Sequence, residues 1–297
     1  MVEISADLAA TLAAVIDTGT MDAAARRLHI TPSAVSQRIR ALEDRLGRVL
    51  LVRAKPARAT ADGERVVRLA RQYALLANDL VTELHGPAAA PRVSVPLAVN
   101  ADSMATWFVP ALARVTREHA VVVDLHRDDQ DFTAALLESG QVMAAVTSRA
   151  VPVAGCRVTP LGTMRYVAVA TADIARDAAD ADAFASLPAV DFDRRDELQS
   201  RWLRARGVDP ALVARHLVPG SHDFALAVRA GLGWGMLPLQ QCSDDLDAGT
   251  LVALGGEPID VPLYWQQWNL GSPLLDAIAA SVVSVAAEAL TGGVSPR

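Results

Sequence analysis

Residues 18–45, TGTMDAAARRLHITPSAVSQRIRALEDR, decide how the rest of the chain is read. Thr20 is placed to cap a first short helix, which runs through Ala23, Ala24 and Ala25 and ends near Leu28. Thr31 caps a second helix, and Pro32 takes its first position, where a missing N–H leaves no hydrogen bond unmade. Val35, Ile39, Leu42 and Leu46 then fall at i, i+4, i+7 and i+11, a single apolar stripe. The other face carries Ser33, Ser36, Gln37, Arg38 and Arg40, side chains that hydrogen-bond to phosphates and base edges. An amphipathic helix alone is ordinarily just a solvated one. Small residues where two helices approach, a Thr-Pro start and a polar, basic second helix together make a DNA-binding helix-turn-helix, with Thr31 to Arg40 as the reading element.

The flanks support this. Asp7–Asp17 reads as a helix with Leu8, Leu12 and Val15 on one side, ended by Gly19 and packed behind the motif. Val49–Val52 and the RAKPARAT that follows read as strand, basic tip and strand, a wing whose Arg53, Lys55 and Arg58 meet phosphates or the minor groove. From Asp62 to His85 one long helix follows. Its Val66, Leu69, Tyr73, Leu76, Leu80 and Leu84 are spaced 3, 4, 3, 4 and 4, close to a heptad seam, as for a helix that pairs with its twin.

Net charge is −6, which taken alone argues against a nucleic-acid partner. Its distribution reverses that. Residues 18–72 hold 12 basic and 5 acidic side chains, which from totals of 28 and 34 leaves 16 and 29 elsewhere, so a +7 module sits on a −13 body. No apolar run approaches the ~20 residues of a membrane span. The N-terminal residues show no secretory signal, and the two cysteines, Cys156 and Cys242, have no metal-like spacing, so a cytoplasmic protein is expected.

Gly86 to Pro91 reads as a hinge. Beyond it come a strand at 93–99, a helix at 105–118, a strand at 121–125, a helix at 132–139 and a strand at 142–146, a βαβαβ series that predicts a mostly parallel sheet. A second series has strands at 166–170, 189–192 and 234–237, helices at 197–206 and 222–230, a strand at 261–268 and a last helix at 273–290. Two α/β halves predict a ligand cleft outside the strand ends.

AARRLHITPSAVSQRIRALEDRLG followed by LLVRAKPARATADG resembles the N-terminal signature of the LysR-type transcriptional regulators. NADSMATWFVPAL, VDFDRRDELQ, SHDF and GLGWGMLP resemble the branch of lysine and arginine regulators. The resemblance implies an α/β chain in three parts. Residues 1–62 would be a winged helix-turn-helix and 63–91 a dimerising linker helix with its hinge. Residues 92–297 would form a two-subdomain effector domain like a periplasmic binding protein, with subdomain I at 92–163 and 265–297 and subdomain II at 164–264. It implies double-stranded DNA with an inverted repeat as partner, a homodimer or tetramer, RNA polymerase as a further partner, no membrane, no cofactor and no metal. The implied effector is lysine or arginine.

The candidate effector residues gather at strand ends. Ser103, Met104, Thr106 and Trp107 follow the first strand, and the N–H groups and hydroxyls of Ser103 to Thr106 would grip a carboxylate; ordinary capping by Asp102 or Ser103 is the alternative. Thr147 and Ser148 close the third strand. Asp193 follows PAVDF, and Ser221, His222 and Asp223 open a helix on the facing half. A cationic side chain needs an acid, and Asp124, Asp193 and Asp223 are the candidates. Enzyme motifs are missing: GLGWG lacks the GxGxxG order, and there is no GxSxG, P-loop or HExxH.

Overall fold

The computed structural model describes residues 4–86, 92–127, 133–177, 184 and 186–292. Residues 87–91 of the expected hinge, and Phe132, lie outside them.

The N-terminal head comprises α1 (Ala6–Thr18), α2 (Met21–Leu28), α3 (Pro32–Leu46), the hairpin β1 (Leu51–Val52) with β2 (Arg58–Ala59), and the start of α4 (Ala61–His85). Thr20, Thr31 and Thr60 cap their helices by accepting the N–H groups of Ala23, Ala34 and Gly63. His29 ends α2 in the left-handed region, φ 54°, making the tight turn into α3. The predicted stripe is the core: Val35, Ile39 and Leu42 are fully buried with Leu12, Val15, Ala24 and Leu50, closed from below by Val66, Val67 and Ala70 of α4. Gly63 permits that closure, because a Cβ there would stand 2.0 Å from the Leu50 carbonyl oxygen.

Past Ala70, α4 changes partners. Leu75 is 1% exposed in the core of the C-terminal unit, and Asp79 accepts the Ser272 hydroxyl. Tyr73, Leu76, Leu80 and Leu84 of the heptad-like run are exposed.

The C-terminal unit is built on a seven-stranded sheet. Its first lobe holds β3 (Val93–Val99), β4 (Val121–Arg127) and β5 (Ala144–Thr147), mutually parallel with β3 between, and the helices α5 (Ala101–Ser103), α6 (Val109–Glu118) and α7 (Thr133–Glu138). A five-residue π-helical turn, Met104–Phe108, joins α5 to α6. Two long strands leave this lobe: β6 (Cys156–Ala170) and β11 (Ile259–Trp268), antiparallel along ten residues of β11, with a register shift between Leu263 and Tyr264. Between them lie α8 (Ala172–Asp177), β7 (Ala189–Asp191), α9 (Leu198–Ala205), β8 (Arg215–Leu217), α10 (Ser221–Arg229), β9 (Gly235–Pro238), α11 (Leu239–Ala248) and β10 (Val252–Ala253). The sheet order is β10-β6-β11-β5-β3-β4, with β9 also on β6. The βαβαβ series at 93–146 forms the expected parallel strands β3, β4 and β5, but the sheet as a whole is mixed. β6 and β11 run antiparallel to each other, and β11 also meets β5 that way, because they are crossings between lobes and not members of a wound series.

The last helix, α12 (Pro273–Ala289), buries Ile278, Val282 and Ala286 against the first lobe. Trp265 and Trp268 are buried in the core, 0% and 7% exposed. The second lobe is centred on Phe184, Trp202 and Trp234, with the two tryptophan rings 5.0 Å apart.

Candidate functional sites: the head surface and the cleft

On α3, Ser33, Gln37 and Arg40 are exposed at i, i+4 and i+7, a polar stripe opposite the buried one. Thr31 and Pro32 are exposed at its N-terminus, and the Thr31 and Ser33 hydroxyls lie 2.9 Å apart. Two predicted readers are turned elsewhere. The Ser36 hydroxyl donates to Met21 Sδ at 3.0 Å, and Arg38 Nη1 reaches Thr11 Oγ1 at 3.4 Å, both stitching α3 to its neighbours. Arg53, Lys55 and Arg58 are exposed on the wing, which is anchored where Ala57 N–H donates to the Gly19 carbonyl at 2.8 Å.

Between the lobes lies a cleft of about 380 Å³. Four structural sources line it: the start of the first-lobe helix (Asn100–Asp102), Tyr166 on β6, the second-lobe residues Asp193, Arg195, Asp196, Glu197, Arg201, Ser221 and Gln241, and Arg127 at the end of β4. Asp102 is its centre. Its carboxylate accepts the Tyr166 hydroxyl at 2.7 Å and, across the cleft, the Ser221 hydroxyl at 2.6 Å, while Gln241 donates to Ser221 at 2.9 Å. Asp196 faces the same space. It accepts the N–H groups of Phe192 and Leu198, both at 3.0 Å. Burial, with repulsion from Asp102 behind it, raises its carboxyl above the usual range despite those bonds.

Of the residues expected from sequence, Asp193 and Ser221 line the cleft. Asp193 is held by Arg195 through both its guanidinium and its N–H; burial would raise its carboxyl, but Arg195 keeps it below the usual range. The carboxylate grip at Ser103–Thr106 is corrected. The helix begins at Ala101, so Met104 N–H donates to the Asn100 carbonyl and the Thr106 hydroxyl to that of Asp102. Ser103 and Trp107 are buried in the lobe, and Met104 packs against its core. Asp124 is exposed on β4, 3.4 Å from His126. Thr147 is buried and accepts the Arg149 N–H; Ser148 follows it, half-buried. His222 and Asp223 are exposed and, like Asp124, lie outside the cleft lining. Sequence reasoning passed over Asp102 as a cap and missed Tyr166, Asp196, Glu197, Gln241, Arg127, Arg195 and Arg201. The DRRDE run after β7 was the available signal for three of these.

Among the described residues no helix is long and apolar enough to cross a membrane, and no group of three or more His, Cys, Asp or Glu side chains could hold a metal.

A winged head with an exposed polar recognition helix, joined by one long helix to a two-lobed unit with a charged cleft, defines a class: DNA-binding regulators that carry their own ligand domain. Residues 7–64 match the bacterial regulatory helix-turn-helix protein model of the lysR family, and residues 88–287 match the LysR substrate binding domain. The chain belongs to the LysR family of transcriptional regulators. It is 42% identical over 285 residues to the lysine export transcriptional regulatory protein LysG of Corynebacterium glutamicum, covering 94% of this chain and 97% of that one. It superposes on ArgP from Mycobacterium tuberculosis with a TM-score of 0.84 at 42% identity, over 98% of this chain and 100% of the other. On full-length LysG of C. glutamicum with bound effector Arg the TM-score is 0.76 at 40% identity, over 97% and 99%.

Proposed function

We propose that this protein binds an inverted-repeat operator through its winged head, responds to lysine or arginine in the cleft, and controls a gene for basic amino-acid export. It works in the cytoplasm as a homodimer or a pair of dimers, engages RNA polymerase, and needs no cofactor and no catalysis of its own. Ser33, Gln37, Arg40 and the wing residues Arg53, Lys55 and Arg58 are its DNA contacts.

The observation that carries the effector assignment is the facing of two carboxylates, Asp102 and Asp196, inside a small cleft where burial already penalises the charge of Asp196. A cation between them relieves both penalties, and an ammonium or guanidinium on an apolar stem is such a cation. Arg127 and Arg201 are the donors for the ligand's carboxylate at the other end. The names of the relatives, a lysine export regulator and a LysG bound to arginine, point the same way.

Calorimetric titration of L-lysine, L-arginine and norleucine into the wild type and into Asp196→Asn tests this. Both basic amino acids should bind the wild type and norleucine far more weakly. The asparagine keeps one acceptor for the loop N–H groups but breaks one of the cation's two carboxylate contacts, a loss of ~3–5 kcal/mol. Norleucine binding as tightly as lysine would remove the basic amino-acid assignment altogether.

A further inference from the structure

Arg71 occupies an unusual position on the linker helix. Its side chain is only 13% exposed. One guanidinium nitrogen, Nη2, lies 2.6 Å from Asp17 Oδ1 at the C-terminal end of α1, in the head. The other, Nη1, donates to the Gly140 carbonyl at 2.7 Å, in the loop between α7 and β5 of the first lobe. Asp17 does not serve Arg71 alone: its other oxygen takes Arg27 of α2 at 3.1 Å. A chain of three contacts thus runs from the first lobe, through Arg71, to the helix that positions the recognition helix.

The seat is shaped for this contact. Gly140 has φ +72°, and a Cβ on it would stand 2.3 Å from the Arg68 Cβ, so only glycine lets the loop lie against α4. Arg68 holds the same loop through the Glu138 carbonyl at 3.3 Å and stacks over Trp268 at 4.8 Å. The loop sits between α7 and β5, and β5 pairs with β3, whose end opens into the cleft at Asn100. A guanidinium is a rigid planar fork, so its two nitrogens cannot follow separate partners. A shift of the Gly140 carbonyl must rotate the fork at Asp17, or break it there.

We infer that Arg71 is the coupling residue between the effector domain and the DNA-binding head, reporting the position of the Gly140 loop to Asp17 and Arg27. The inference rests on the effector reading only for the identity of the ligand that moves the loop. Two features separate it from a merely structural role. Lysine at this position keeps the charge and three rotatable N–H donors, but it lacks the rigid fork that ties the positions of the two partners to each other. Removal should also be felt at two segments that are distant in sequence.

Hydrogen–deuterium exchange on the full-length protein reads both. Without ligand, Arg71→Met should speed exchange severalfold in residues 14–19 and in residues 138–142 together, and Arg71→Lys should do so by less in both. A change in neither segment for Arg71→Met means that Arg71 bridges nothing and overturns the inference. With saturating L-arginine, the wild type should gain protection in the cleft and change its exchange in α1 and α2. Arg71→Met and Arg71→Lys should keep the first response and lose the second. Variants that transmit the change to α1 and α2 as the wild type does also overturn it. If L-arginine and L-lysine protect nothing in the wild-type cleft, the effector assignment fails, and the ligand-free comparison still judges the bridge.

Discussion

At the scale of single residues, the head and the second lobe show opposite uses of a polar side chain. Gln37 is exposed at the middle of the α3 stripe and free to lie in a major groove, where a bidentate amide contact discriminates one base pair. Gln37→Ala should therefore cost ~1–3 kcal/mol on the preferred site and relax preference at one position. Lys55→Ala, on the wing, should weaken all sequences evenly and lower the salt dependence of binding. Affinity measured on a panel of single-base operator variants at two salt concentrations separates the two; an unchanged Gln37→Ala profile would take Gln37 out of the reading set. Asp191 is the contrasting case. It is 7% exposed at the end of β7 and accepts two contacts from Arg215 Nη1, at 2.8 and 3.0 Å. Burial nonetheless wins, pushing its carboxyl up to about 6 from an ordinary 3.8. The folded protein thus holds this proton more tightly than the unfolded chain. That contribution to stability is complete below pH 3.8 and is lost as pH rises through 6. Asp191→Asn has no proton to lose there. The stability of the wild type relative to this variant, followed by denaturant unfolding, should fall as pH is raised from 4 to 7; a rise would mean that the Arg215 pair dominates.

At the scale of elements, α4 carries two jobs on one helix. Its 25 residues span about 37 Å at ~1.5 Å each. The first part belongs to the head, and Leu75 and Asp79 belong to the effector unit, so the helix is buried by two different partners in turn. The heptad-like run leaves the core at Tyr73. Val66 is 6% exposed, but Leu80 and Leu84 are 54% and 66% exposed, too much apolar surface in one row for a helix that stays alone. Leu80→Asp should shift the protein towards monomer in sedimentation. Because Leu80 is exposed within its own chain, the monomer's stability should stay within about 0.5 kcal/mol. An unchanged oligomer would place the seam on another face.

At the scale of the whole molecule, the sequence is most legible where structure is local. The caps, the apolar stripe of α3 and the wing depend on neighbours a few residues away, and residues 18–60 contain them. The crossings β6 and β11 were only half visible. Pro160 and Gly162 break the alternation of β6, so it reads as a shorter strand at 166–170, whereas β11 reads at 261–268, close to its full length but with no sign that it crosses between lobes. The cleft was least legible. Asp102 looks like a helix cap, and Asp196 like one more surface acid in DRRDE, until the fold brings them together and burial changes their chemistry.

The path of the chain through the two units also sets an order of assembly during synthesis. Every residue of the head's buried cluster has been made once the ribosome passes Ala70. The first lobe begins soon after, but it stays open until α12, translated after the whole second lobe, closes on α6 and β11. A message cut short in the second lobe therefore encodes a head able to occupy DNA and a sensor that cannot form. Such a fragment would compete for the DNA site while deaf to any effector. A mutation of that kind acts against the intact copy beside it.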